Sequence, residues 1–178
     1  MKNSILYFVF ALMVFATACS SEKKSHEAHE GHQAAADHQN KGFDDVPQLA
    51  ASVIQSLANY DYNEYYSHVI TKSQEKAAAA TIQDNANRKA FMKEFEFSIK
   101  EEKVYFDNIE KLIKEEKLDM ANARVNEMEI LDYKATEYAP QVLKQVIIPV
   151  MKGEMEIDIV FVVIQLDGKW YLTAELGV

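Results

Sequence analysis

The apolar residues of this chain keep two different periods, and the switch between them near Asp119 limits the fold more than any motif does. Before the switch, Leu49, Val53, Ile54 and Leu57 recur at helical spacing. So do Met92, Phe95, Ile99, Phe106, Ile109 and Ile113, with one turn missed near Glu102. Spacings of three and four put such residues on one face of a helix, with Lys and Glu on the solvated side. After the switch, β-branched and apolar runs occupy residues 142–151, 155–166 and 170–176, the pattern of strands. Helices first and strands last predict an α+β domain with an antiparallel sheet.

Local signals place the boundaries. Asp44-Asp45-Val46-Pro47 starts a helix, with acids and a proline in its first turn. Asn59-Tyr60-Asp61 breaks it, and a short helix is expected over 62–70. Residues 72–80 are alanine-rich and favour a third helix, Asp84-Asn85 interrupts, and a long helix covers 86–117. Residues 123–138 read as a mixed, bulged strand. Lys152-Gly153 and Asp167-Gly168 read as turns, the second a tight-hairpin signal. Pro149 cannot donate a ladder hydrogen bond, so it marks an edge or a bulge.

The strand over 155–166 predicts something about its surroundings. One face carries Met155, Ile157, Ile159, Phe161 and Val163. The other carries Glu156 and Asp158, then Val160, Val162, Ile164 and Leu166. A sheet face that meets water alternates with polar residues. Both faces of the second half are therefore expected to be covered, either by the domain's own helices or loops or by a second copy in a homodimer.

The N-terminus carries a separate message. A basic Met1-Lys2-Asn3 precedes a 14-residue, mostly apolar stretch from Ile5 to Ala18, and Ala16-Thr17-Ala18 leads to Cys19, the one cysteine of the chain. That order is a secretory signal peptide, shorter than the roughly 20 apolar residues of a membrane span. Cys19 after small residues resembles the lipobox of bacterial lipoproteins. The resemblance implies cleavage before Cys19, removal of 1–18, and a lipid on its thiol. It places the protein in the cell envelope of a bacterium, and Ser20 in place of Asp points to the outer membrane by analogy with the enterobacterial sorting rule. Lipidation also accounts for an unpaired thiol in an exported chain.

Residues 19–42 read as a disordered, lipid-anchored tether. Four of the five histidines fall there, His26, His29, His32 and His38, interleaved with Glu27, Glu30 and Asp37. Imidazole suits Zn and Cu, so the tether is a candidate for weak binding of either metal, beside the plainer reading of a soluble spacer. The chain has 28 Asp and Glu against 19 Lys and Arg, a net charge of −9. That balance, with no basic stripe, argues against nucleic acid. It also means that the anchor, not surface charge, supplies membrane attachment.

Within 43–178, two features resemble the nuclear transport factor 2-like (ketosteroid isomerase-like, cystatin-like) superfamily. One is the opening helix followed by Leu57-Ala58-Asn59-Tyr60-Asp61-Tyr62-Asn63-Glu64-Tyr65-Tyr66. The other is the terminal hairpin through Asp167-Gly168-Lys169-Trp170-Tyr171-Leu172. The resemblance implies helices packed in a strongly curved antiparallel sheet, a cone-shaped roll with a central pocket. Such folds host enzymes and binding modules alike, so fold does not give function.

An isomerase-like pocket needs a general base and acidic hydrogen-bond donors. Tyr60, Tyr62, Tyr65 and Tyr66 are candidate donors, His68 is the domain's one histidine, and Asp158 lies early on a strand. Tyr62, Tyr66, His68 and Asp158 are thus the candidate pocket residues, although none forms a catalytic constellation by spacing. There is no phosphate loop or serine-nucleophile motif, and no cysteine after Cys19, so no cofactor is expected. The leading expectation is a non-catalytic domain that binds a small apolar ligand or a protein partner. A metal-handling accessory using the tether and a ketosteroid isomerase-like enzyme are the alternatives.

Overall fold

The computed structural model describes residues 40, 42–133 and 139–177. The signal peptide, Cys19 and the four tether histidines lie outside them. The described chain is an α+β fold: α1 (Val46–Ala58), α2 (Tyr62–Ser67), α3 (Lys72–Ala80) and α4 (Asn85–Glu116) precede β1 (Glu129–Asp132), β2 (Val142–Lys152), β3 (Met155–Leu166) and β4 (Lys169–Gly177). Each helix starts where a short polar side chain replaces a missing backbone acceptor. Asp45 accepts from Gln48 N, Asp61 from Glu64 N and Asp84 from Asn87 N, while Thr71 and Gln74 form a reciprocal capping box. Such caps are worth about 1 kcal/mol each.

The sheet is a meander in the order β1-β2-β3-β4, antiparallel throughout. Asp167 and Gly168 both have positive φ, 50° and 77°, the primed turn that the Asp-Gly pair predicts. Pro149 lies beyond the end of β1, so its missing N–H faces no strand. Its carbonyl accepts from Arg124 N at 3.0 Å, and Met151 O accepts from Asp119 N at 3.0 Å. The proline therefore does mark a local edge, which the segment after α4 covers.

That segment is the main departure from the expected elements. Instead of a strand over 123–138, the chain makes two single-turn 3₁₀ helices, Met120–Asn122 and Val125–Glu127, and then the four-residue β1. Residues 134–138 lie outside the described structure. The physical reason is the edge just described, since Asp119 and Arg124 donate to β2 as single anchors rather than as a ladder. The second helix also ends early, at Ser67. Val69 then bridges Leu172 in parallel, and Ile70 N donates to Leu172 O at 2.9 Å.

Both faces of the second half of β3 are covered, and the chain supplies both covers. Ile159, Phe161 and Val163 pack with α1, Tyr65 and the second half of α4 through Phe106, Ile109 and Ile113. Val162 and Ile164 pack with Ala78 and Ala79 of α3 and with Phe91 and Phe95 of the first half of α4. At 1.5 Å per residue the 32-residue α4 is about 48 Å long, enough to serve one face with each half. The double-sided apolar pattern therefore needs no second subunit, and the homodimer loses the observation that suggested it.

Candidate functional site

Two tyrosine–glutamate clusters stand on opposite faces of the sheet. The first grows from α2, where Tyr62, Tyr65 and Tyr66 project from consecutive turns. The Tyr62 and Tyr66 rings stack with centroids 5.7 Å apart, and Tyr65 lies 5.0 Å from Phe106. Glu102 of α4 enters this group with 8% of its surface exposed, and Tyr62 Oη donates to its Oε1. The Glu102 Oε2 and the hydroxyl of the fully buried Tyr65 have no hydrogen-bond partner. Burial pushes the Glu102 carboxyl above the usual range, with the bond from Tyr62 opposing it. Burial pushes both tyrosines up, followed for Tyr62 by its hydrogen bond to Glu102 and for Tyr65 by the Glu102 charge, so they stay neutral. Side chains fill this interior: Leu49, Val53, Phe106, Phe161 and Val163 close around Tyr65.

The second cluster is built by a bulge. In β3 and β4, Phe161 pairs with Leu176 and Val163 with Leu172, so β4 places three residues opposite Val162. Bulges bend a strand and re-aim its side chains. Thr173 Oγ1 holds the bulge by donating to Val162 O at 3.0 Å. Glu175 then reaches across the face, and its Oε1 lies 3.1 Å from the hydroxyl of Tyr133, just past β1. Glu94 of α4 brings its Oε1 to 3.1 Å from the same hydroxyl. Burial, then the nearby Glu94 charge, raise the Glu175 carboxyl above its usual range, and the Tyr133 bond opposes that shift. Burial, then the two carboxylates, raise Tyr133 and keep it a neutral donor.

A cleft of about 400 Å³ opens beside this second cluster. Tyr105, Tyr133, Gln145, Val160, Val162 and Glu175 are among its walls. A larger groove of about 520 Å³ runs between α3 and the β3–β4 turn, but its lining mixes the amides of Gln74, Gln141 and Gln165 with small apolar residues. The cleft joins an apolar wall to the ionisable Tyr133 and Glu175, the usual anatomy of a ligand site.

The sequence-predicted residues do not meet in it. Tyr62 and Tyr66 pack with each other in the first cluster. His68 is 2% exposed and ties elements together: its Nε2 lies 2.8 Å from Ser52 Oγ and 3.5 Å from Glu64 Oε1, its Nδ1 lies 3.3 Å from Ser67 Oγ, and Phe43 meets its ring edge-on at 5.1 Å. Asp158 is exposed, opposite Pro149. Strand alternation puts it on the face away from Ile159 and Phe161, hence away from the tyrosines of α2. Tyr60 is exposed under Lys114, whose Nζ stands 4.4 Å from its ring centroid.

The residues missed by spacing left traces nonetheless. Glu102 occupies the missed turn of the α4 stripe. Glu175 shares an alternation face with Tyr171 and Thr173, where a carboxylate is out of place against Val162 and Ile164. Among the described residues, no three of His, Cys, Asp and Glu converge as a metal site, and no helix is long and apolar enough to cross a membrane. No protein-family model, no curated protein and no solved structure matches the chain.

Proposed function

We propose that this is a lipid-anchored cell-envelope protein whose folded domain, a nuclear transport factor 2-like module, binds a small, largely apolar ligand in the cleft beside Tyr133 and Glu175. The observation that carries the reading is the cleft itself. At about 400 Å³ it falls in the size range of small-molecule sites, which are apolar with a few placed polar groups. Valine, phenylalanine and tyrosine walls supply the first, and Gln145, Tyr133 and Glu175 the second. The order of helices before a terminal hairpin agrees with the family resemblance, and the export signal ending at Cys19 supports the anchor.

Purification of the protein from its own membranes, followed by solvent extraction and mass spectrometry, tests this. A stoichiometric small molecule is expected, absent from a Val162→Trp variant that fills the cleft. Equal recovery from both proteins would rule the cleft out. The anchor is tested by metabolic labelling with a fatty acid, which Cys19→Ser should abolish.

One observation favours a second reading, acid–base catalysis in the same cleft. Glu175 is desolvated, set against a second carboxylate, and open to a cavity, as a general base is. Turnover lost in Glu175→Gln with binding retained would turn the binding protein into an enzyme.

A further inference from the structure

We infer that β1 is a docking edge for an extended segment of another protein, one that carries Lys or Arg on each side of two apolar residues. β1 lies outside the described lining of the cleft, so this surface stands or falls without the ligand site. A strand at the edge of a sheet presents a row of unpaired N–H and C=O groups, and folds that keep such an edge idle cover it. This fold covers its other edges. β4 ends the sheet on the far side, and there Phe43 bridges Trp170 and Val69 bridges Leu172. The stretch of β2 beyond β1 accepts hydrogen bonds from Asp119 and Arg124. β1 is treated differently. It pairs with β2 on one side, no described backbone bonds to its other side, and all four of its residues are exposed.

The side chains of this edge define what fits it. Ile130 and Leu131 expose 41% and 46% of their surface. Strand alternation sends them to opposite faces, so a docked strand meets one apolar neighbour on each face. Glu129 and Asp132 flank that pair. Glu129 has no ion pair among the described residues, and Asp132 stays 81% exposed beside Lys144. A second copy of β1, set antiparallel in full register, would place Glu129 opposite Asp132 at both ends. Like charges directly opposite each other destabilise a strand pair. The same two carboxylates favour Lys or Arg in those places, so they reject the copy and select a basic partner. Backbone hydrogen bonds along the edge give such a complex its affinity, and the flanking charges give it specificity.

The test titrates the full chain, in detergent, into fluorescein-labelled peptides and reads fluorescence anisotropy, with detergent alone as the blank. One peptide reads Thr-Lys-Val-Val-Lys-Thr, and its counterpart has Glu in place of both Lys. The Lys peptide should bind about fivefold to tenfold more tightly, the sum of two exposed ion pairs. Glu129→Lys changes an exposed side chain, and should bring the two affinities within about twofold of each other. Two further Lys peptides carry N-methyl groups on alternate residues, in the two possible phases. Every second residue of a strand turns its N–H toward a given neighbour, so one phase should lose binding and the other keep it. Equal affinities for the Lys and Glu peptides would overturn the charge selection. The same affinity in both methylated phases would overturn strand pairing, and no binding of the Lys peptide would overturn the proposal as a whole.

Discussion

The same pair of side chains, a tyrosine hydroxyl on a glutamate, occurs on each face of the sheet with opposite surroundings. On one face Glu102 is buried against a packed interior, with the half-buried Tyr62 donating to it, and two polar atoms there lack partners. On the other, Tyr133 and Glu175 border an open cleft. Polar groups shut in without partners cost stability. Polar groups at an opening can exchange their partners for those of a ligand. The contrast separates a cost of packing from a candidate for function, although the chemistry is the same.

The largest expected difference between the faces is in packing. Phe106→Ala removes a ring from the filled interior and should lower unfolding free energy by about 3–5 kcal/mol. Val160→Ala, on the half-buried cleft wall, should cost about 1 kcal/mol or less. Urea denaturation of both variants measures this. Equal losses would mean that the cleft wall is as tightly packed as the core, and the contrast would fail.

Next comes the orphaned hydroxyl. Tyr65→Phe deletes a buried donor that makes no hydrogen bond and keeps the ring that packs on Phe106. An unsatisfied buried group costs about 1–3 kcal/mol, so the variant should melt at the same temperature or higher. Tyr133→Phe should behave differently, because it strips a donor from two carboxylates. A clear loss in Tyr65→Phe would reveal a partner for that hydroxyl in solution.

The two glutamates also make stability depend on pH, with a definite sign. A carboxyl whose folded value is raised holds its proton in the folded chain after the unfolded chain has lost it. Stability therefore falls as pH rises from the ordinary glutamate value, about 4.3, through the raised one. Both Glu102 and Glu175 are raised, with burial as the first cause. Glu102→Gln and Glu175→Gln should each gain stability over the parent at pH 8 and little at pH 4. The gain should be larger for Glu102, which is the more enclosed of the two. Thermal melts of the three proteins across that range measure it. A parallel set of curves would show that neither carboxyl is perturbed.

How much of this was written in the sequence depends on whether the signal is local. Helix starts at Asp45, Thr71 and Asp84 and the Asp167-Gly168 turn depend on neighbours in sequence, and all were legible. The α+β class followed from the change of period at Asp119. Residues 123–127 do not form the expected strand because Arg124 donates to the edge of β2, 25 residues downstream, and propensity is blind to that edge. The cleft was illegible for the same reason. Tyr133, Glu94 and Glu175 come from three elements, and a bulge that only the β3–β4 register reveals aims the last of them. By contrast, the candidates chosen from sequence, Tyr62, Tyr66 and His68, were chosen for being aromatic or titratable near a helix break. The fold uses them to pack α1, α2 and β4 together.

Asp158 gives the smallest expected effect and tests the placement of the faces most cleanly. It sits on β3 like Val160 and Val162 and shares their face, but beyond the reach of α3 and α4, where the sheet meets water. If the cleft ends where the structure ends it, Asp158→Asn removes only a solvated charge. Stability should then change by no more than about 0.5 kcal/mol, with any small molecule that co-purifies with the parent recovered in the same amount. If the cleft continued along the strand, Asp158 would stand at its mouth, and Asp158→Asn would change that recovery. Comparison of that variant with the parent therefore tests where the cleft proposed as a ligand site ends.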